Sequence, residues 1–228
     1  MRLLKLIAVL LEYPQADLWE NADELRAACA DPALPAERQA ALRGFVDGLL
    51  AQPTMEAQEA WLALFERGRA MSLLLFEHIH GESRDRGQAM VDLLDTYQKQ
   101  GFELGAKQLP DYLPVVLEYL SMRPAEEVRD WLAHVAHILE LLTARAEERG
   151  SPYAVLLVAL VMIAKDRVDI ELLRQRVADE ERDDTPEAMD KVWEEEAVRF
   201  GAEAPGEDCK PPVRLPSGVK RIEPTVTP

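Results

Sequence analysis

Residues 153–164, YAVLLVALVMIA, put apolar side chains on every face of a helix. Such a helix has no side to offer water, so it belongs at the centre of a bundle. It is also too short for a membrane, at about half the ~20 residues that a span requires. The rest of the chain must therefore wrap it with amphipathic helices, and the sequence punctuates them. Pro14 closes a first helix, and Asp31-Pro32 with Pro35 separates the second from the third. Pro53-Thr54 opens a helix carrying Trp61, Leu62 and Phe65, with Thr54 as its expected N-cap. Gly81 ends the helical region that contains MSLLLFEHIH, and Ser83 caps the next helix. There Met90, Leu93, Leu94 and Tyr97 fall at i, i+3, i+4 and i+7, on one face.

Arg123-Pro124 begins a long helix, with proline in the first turn where its missing N–H costs nothing. An apolar stripe runs through Val128, Trp131, Leu132, Val135, Leu139 and Leu142, and Gly150 is the natural C′ residue. Ser151-Pro152 starts the all-apolar helix, and Thr185-Pro186-Glu187 announces a last, very acidic one. No Asn-Gly or Asp-Gly hairpin signal separates alternating runs, and no period of the tetratricopeptide kind appears. The expected fold is all-α: a single irregular helical bundle over residues 1–200. A disordered C-terminal tail is expected at 201–228, which holds six prolines and no aromatic residue.

Charge narrows the partners. The net charge is −16, and between Asp179 and Asp208 there are 13 acidic residues against three basic ones, so that segment alone carries −10. A nucleic-acid groove would need clustered Lys and Arg, so no nucleic-acid partner is expected. An anionic surface instead speeds encounter with basic partners, or simply maintains solubility. The acidic segment reads as a solvated helix with a frayed end, or as a mobile lid over a binding groove. Cys29 and Cys209 are far apart and form neither a disulfide framework nor a zinc cluster, which fits a reducing cytoplasm. The opening MRLLKLIAVLLEYP imitates a signal-peptide core. No small-residue cleavage site follows it, so a buried first helix and no membrane anchoring are expected.

Chemistry-bearing constellations are sparse. His78 and His80 lie two apart on a helix, about 200° from each other. His134 and His137 fall off the apolar stripe and neither cysteine is near, so no metal centre is expected. Glu77 and His78 diverge as helical neighbours, and Ser72 and Ser83 lack a nucleophile elbow. HGESRDRG is no phosphate loop, because no Gly-Lys-Ser/Thr follows. Arg84 and Arg86 stand at a helix start, where N–H groups and two guanidiniums offer an anion contact, unless this is an ordinary capped start with solvated charges. In Leu109-Pro110-Asp111-Tyr112-Leu113-Pro114 a loop enters a helix that Asp111 can cap. That element is either a rigid turn or a set of recognition groups.

LFEHIHGESRDRGQAM, within residues 64–94, resembles the NarJ family, the dedicated assembly chaperones of molybdenum nitrate reductases. QLPDYLPVVLEYLS at 108–121 and LLEYP at 10–14 fit the same family, and the likeness covers about residues 1–165. It implies a cytoplasmic protein with no cofactor and no catalysis of its own. Such a protein binds the N-terminal leader of the nitrate reductase catalytic subunit and keeps the apoenzyme open until its molybdopterin guanine dinucleotide cofactor is inserted. The wider group of redox enzyme maturation chaperones carries a Glu-x-x-Asp-His motif associated with leader binding. The matching positions here are Gln108, Asp111 and Tyr112, so only the aspartate is kept. The resemblance thus implies a peptide-binding set of Asp111, Tyr112, Leu109, Pro110 and Pro114. In it Asp111 pairs with a basic or N–H group and Tyr112 adds apolar area. Two rivals stand beside it. A small metal- or nucleotide-dependent enzyme using the histidines and the Arg84/Arg86 turn lacks converging ligands. A helical scaffold without a client leaves the long motif unexplained.

Overall fold

A computed structural model describes residues 1–81, 83, 85–105, 108–165, 169–191 and 194. Among them the chain runs through α1 (Arg2–Leu11), α2 (Asp17–Glu20), α3 (Ala22–Ala28), α4 (Ala36–Leu50), α5 (Thr54–Phe65) and α6 (Leu75–His80). It continues through α7 (Asp85–Lys99), α8 (Leu113–Ser121), α9 (Ala125–His134), α10 (Ala136–Glu148), α11 (Ala154–Lys165) and α12 (Glu171–Ala178). Residues 186–191 are helical as well. Met1–Asp190 form one compact unit. The all-α expectation holds. The expected tail at 201–228 lies outside the described residues.

α11 is buried on all sides, with Leu156, Leu157, Leu160 and Val161 fully enclosed where α4, α9 and α10 pack around it. α1 and α8 form the second closely packed pair, burying Leu3, Leu4, Ile7, Leu10 and Leu11 together with Val116, Leu117 and Leu120. Each such side chain stabilises the fold by about 1.5–3 kcal/mol relative to an exposed one. A row of aromatics, Phe45–Tyr153–Phe65–Trp61–Tyr13, edge-on except for the tilted Phe65–Trp61 pair, runs through the core at centroid spacings of 5.1–5.4 Å. Gly150 ends α10 as expected: at φ 63° it lets Ser151 N–H reach the Ala146 carbonyl and its own N–H reach that of Glu147. Thr185 caps the helical run at 186–191 through a 3.2 Å bond from Ala188 N–H to its Oγ1.

Three local expectations are corrected. Thr54 is the first helical residue of α5 and makes no side-chain cap. The long helix after Pro124 is two helices, broken at Val135 (φ −102°, ψ 7°), beside the point where the His134 ring takes the Asp130 carbonyl at 2.6 Å. Helix α7 keeps its expected face, with Tyr97 fully buried, Met90, Leu93 and Leu94 half-buried, and Val91 59% exposed. The largest departure is at residues 66–74. The sequence reads MSLLLFEHIH as helix from Met71, but α5 stops at Phe65, Gly68 turns the chain at φ +97°, and Leu74 is extended before α6 begins at Leu75. Leu74 pairs antiparallel with Tyr112: Leu113 N–H donates to Leu73 O at 2.8 Å and Leu75 N–H to Asp111 O at 3.0 Å.

Gly68 is required twice over. Its φ is disfavoured for L side chains, and a Cβ there would lie 2.5 Å from the Asp183 carboxyl carbon. Gly68→Ala is expected to destabilise by about 2 kcal/mol or more. Gly48→Ala, where an added Cβ meets nothing within 4 Å on helix α4, should stabilise by about 0.5–1 kcal/mol. Urea unfolding midpoints of the two variants check the contrast.

Candidate functional site

The 109–114 turn and the 66–74 loop meet at that short bridge, and together they line a cleft. Its walls are Trp61 and Phe65 from the end of α5, Gly68, Ser72, Leu73 and Leu74 from the loop, and Tyr112; Glu66 and Glu77 stand at its rim, and its volume is 260 Å³. Trp61 is locked in place by a 2.9 Å bond from its Nε1–H to the Leu11 carbonyl. The half-buried Tyr112 hydroxyl donates to Glu12 Oε2 at 3.4 Å, just after α1 ends. Burial pushes the Glu12 carboxyl up, partly offset by the Tyr112 bond, and Glu118 adds repulsion. Burial and the charges of Glu12 and Glu66 hold the Tyr112 hydroxyl protonated. The cleft is greasy on one side and acidic on the other.

Of the residues singled out in the sequence, Tyr112 lines this cleft and Leu109 is exposed beside the turn. The other three lie inside. Pro110 accepts the Tyr97 hydroxyl at 2.9 Å through its carbonyl, and Pro114 sits in the buried first turn of α8. Asp111 is 0% exposed. It does not cap α8, whose N-cap position is Tyr112; instead its Oδ2 accepts the Phe76 N–H of α6 at 3.1 Å. Buried there, the Asp111 carboxyl presents no atom to a partner. The carboxylate caps α6 across the bridge and so sets where Tyr112 points.

A second cavity of 330 Å³ shares Glu77 with the first and is lined by Arg69, His78, Gly81, Ser83 and Arg86. Arg86 finds its anion within the chain, with Nη1 3.2 Å from Glu77 Oε1. Arg84 lies outside the described residues. His78 donates Nε2–H to the Ser72 carbonyl at 2.8 Å, and burial keeps its ring neutral. Among the described residues no three His, Cys, Asp or Glu side chains come together to hold a metal, and no helix is long and apolar enough to cross a membrane. Sequence reasoning missed Glu12, Trp61, Phe65, Glu66 and Glu77 as site residues. Only LLEYP, which contains Glu12, carried a signal for one of them.

Burial raises the Asp111 carboxyl, against the lowering effects of the Phe76 N–H and of Arg86. The folded protein thus holds this proton more tightly than the unfolded chain does. The group's contribution is fully present below the ordinary carboxylate pKa and is lost as pH rises through the raised folded value. Asp111→Asn keeps an oxygen for Phe76 N–H and cannot ionise, so it should remove this share of the decline as pH rises above the ordinary carboxylate value of about 4. Asp111→Ala strands the N–H and should cost about 1–3 kcal/mol. Urea unfolding across that pH range measures both.

The sequence profile of the nitrate reductase delta subunit family matches residues 31–159. The chain is 49% identical over 201 residues to the nitrate reductase molybdenum cofactor assembly chaperone NarJ of Escherichia coli (strain K12), covering 88% of this chain and 85% of that one. It is 46% identical over 202 residues to a probable nitrate reductase molybdenum cofactor assembly chaperone, NarW, of the same strain, covering 88% and 84%. A probable NarJ of Bacillus subtilis (strain 168) is 32% identical over 103 residues, or 45% of this chain and 56% of its own length. With its helical bundle and its motifs at 10–14, 75–90 and 108–121, the chain belongs to the nitrate reductase delta subunit family, among the molybdenum cofactor assembly chaperones of the NarJ type.

Proposed function

We propose that the chain is a client-specific chaperone. It binds the N-terminal leader of the nitrate reductase catalytic subunit in the cytoplasm and holds the apoenzyme competent for molybdenum cofactor insertion and complex assembly. It catalyses no reaction. The observation that carries this reading is the cleft at Tyr112, whose apolar wall of Trp61, Phe65, Leu73 and Leu74 faces carboxylates at Glu66 and Glu12. Among the described residues neither Glu12 nor Glu66 is in an ion pair. A Lys or Arg of an amphipathic client segment supplies the missing cation, beside the Tyr112 ring. The segment's apolar side lies on the wall, in the helix-in-groove manner. Tyr112 and Leu109 make contact, while Pro110, Asp111 and Pro114 hold them in position. The relatives' names point to the same client.

No observation favours the metal- or nucleotide-dependent enzyme. His78 and His134 donate ring N–H groups to backbone carbonyls, and Arg86 is paired with Glu77.

Calorimetry with a synthetic leader peptide tests the proposal, with a scrambled peptide of equal charge as control. The expected result is selective binding that Tyr112→Ala weakens about tenfold, or ~1.4 kcal/mol. Glu66→Gln should weaken it less, by about threefold, and make it less sensitive to salt. A leader bound no better than its scrambled form, or steady substrate conversion by the pure protein, overturns the reading.

A further inference from the structure

The loop that walls the cleft has little ladder of its own, and its Ala70 backbone groups are held from a distance. Ala70 N–H donates to Asp183 Oδ2 at 2.6 Å, and the Ala70 carbonyl accepts from Arg145 Nη1 at 2.8 Å. Both groups are held by side chains from more than seventy residues downstream. Asp183 Oδ1 accepts in turn from Arg149 Nη2 at 2.8 Å, and Arg149 Nη1 lies 3.5 Å from Asp184 Oδ2. Arg145 also grips Glu180 through two nitrogens. Arg145 in the last turn of α10 and Arg149, the residue that follows the helix, stand four apart, with side chains only 13% and 8% exposed. Gly68 completes the contact, because the space a Cβ would take is filled by the Asp183 carboxyl.

We propose that residues 179–184 are a brace for the cleft, in which Asp183 is the positioning residue that fixes the 68–72 wall for a bound peptide. The inference rests on the peptide-binding reading above and adds the coupling that regulates the same site. Asp183 touches the outer side of the loop whose other side faces the cleft, so peptide and brace act on one piece of backbone. Whatever steadies the wall from outside favours the peptide, and a bound peptide must steady the brace by an equal factor. The buried charges make the contact all-or-none: a guanidinium left without its acid inside the protein is poorly tolerated, unlike a broken surface pair. Glu180, Asp183 and Asp184 are engaged within the chain, so a client's cations are met by Glu12 and Glu66 instead.

The test compares full-length wild type, Asp183→Ala and Leu132→Ala. The last removes a fully buried side chain of α9 and destabilises without touching the brace. Leader affinity is read by calorimetry and backbone motion by hydrogen exchange. Asp183→Ala should bind the leader about tenfold more weakly, with faster exchange confined to residues 69–74, and Leu132→Ala should bind as wild type does. In wild type the peptide should slow exchange at 179–185. If Asp183→Ala does not fold, Asp183→Asn serves: it keeps an oxygen for Ala70 N–H, loses the charge facing Arg149, and should show a smaller loss of the same kind. Wild-type affinity with unchanged loop exchange in the Asp183 variant overturns the brace and leaves the peptide reading intact. A wild-type protein that binds no leader overturns the peptide reading, and the brace as a regulator of that site falls with it.

Discussion

The site depends on a meeting between two extended stretches that lie thirty-eight residues apart in the chain, Leu74 and Tyr112. Two backbone hydrogen bonds join the stretches, and the buried Asp111 carboxylate adds a third tie by capping α6. Without that junction the loop after α5 would have no reason to stay extended. Tyr112 would also not stand opposite Trp61 and Phe65. The helices around it, α1 against α8 and α11 among its neighbours, provide the rigid background that makes so small a junction persist. A carboxylate with one unpartnered oxygen is tolerated there because Arg86 offsets part of its burial.

What could be read from the residues was what local chemistry decides. The all-apolar run at 153–164 forced a central helix, Gly150 and Thr185 announced helix ends, and prolines separated the segments. Where a segment's conformation is set by a distant partner, the reading failed. MSLLLF has apolar residues in an unbroken run, which fits a helix and a buried strand equally well. Its pairing with 111–113 decides the matter. The same holds for Asp111. Its position before a helix suggested a local cap, whereas its side chain serves a different helix through space. The break at Val135 carries neither proline nor glycine, so no local residue announced it. Trp61 and Phe65, i and i+4 on α5, read as ordinary core, and they are core; only the neighbouring loop makes one flank of them a cleft wall.

Acidity, too, has a different distribution in space than along the chain. The densest acidic stretch begins at Asp179, but Glu180, Asp183 and Asp184 are held by Arg145, Arg149 and Arg182. Glu12 and Glu66 are isolated in sequence and converge on one tyrosine. A charge count along the chain therefore does not locate the acidic rim of the cleft, and charge that is already neutralised attracts little.

Trp61 belongs to two structures at once. Its indole packs edge-on against Tyr13, bonds the last residue of α1, and forms part of the cleft. Any change there that alters what the cleft accepts also loosens the end of α1, so variation at this position is filtered by folding before it is filtered by recognition. The exposed rim at Glu66 carries no such double duty. On the proposed peptide-binding reading, divergence in client preference among relatives of this fold should therefore accumulate at the edge of the cleft and spare its aromatic wall.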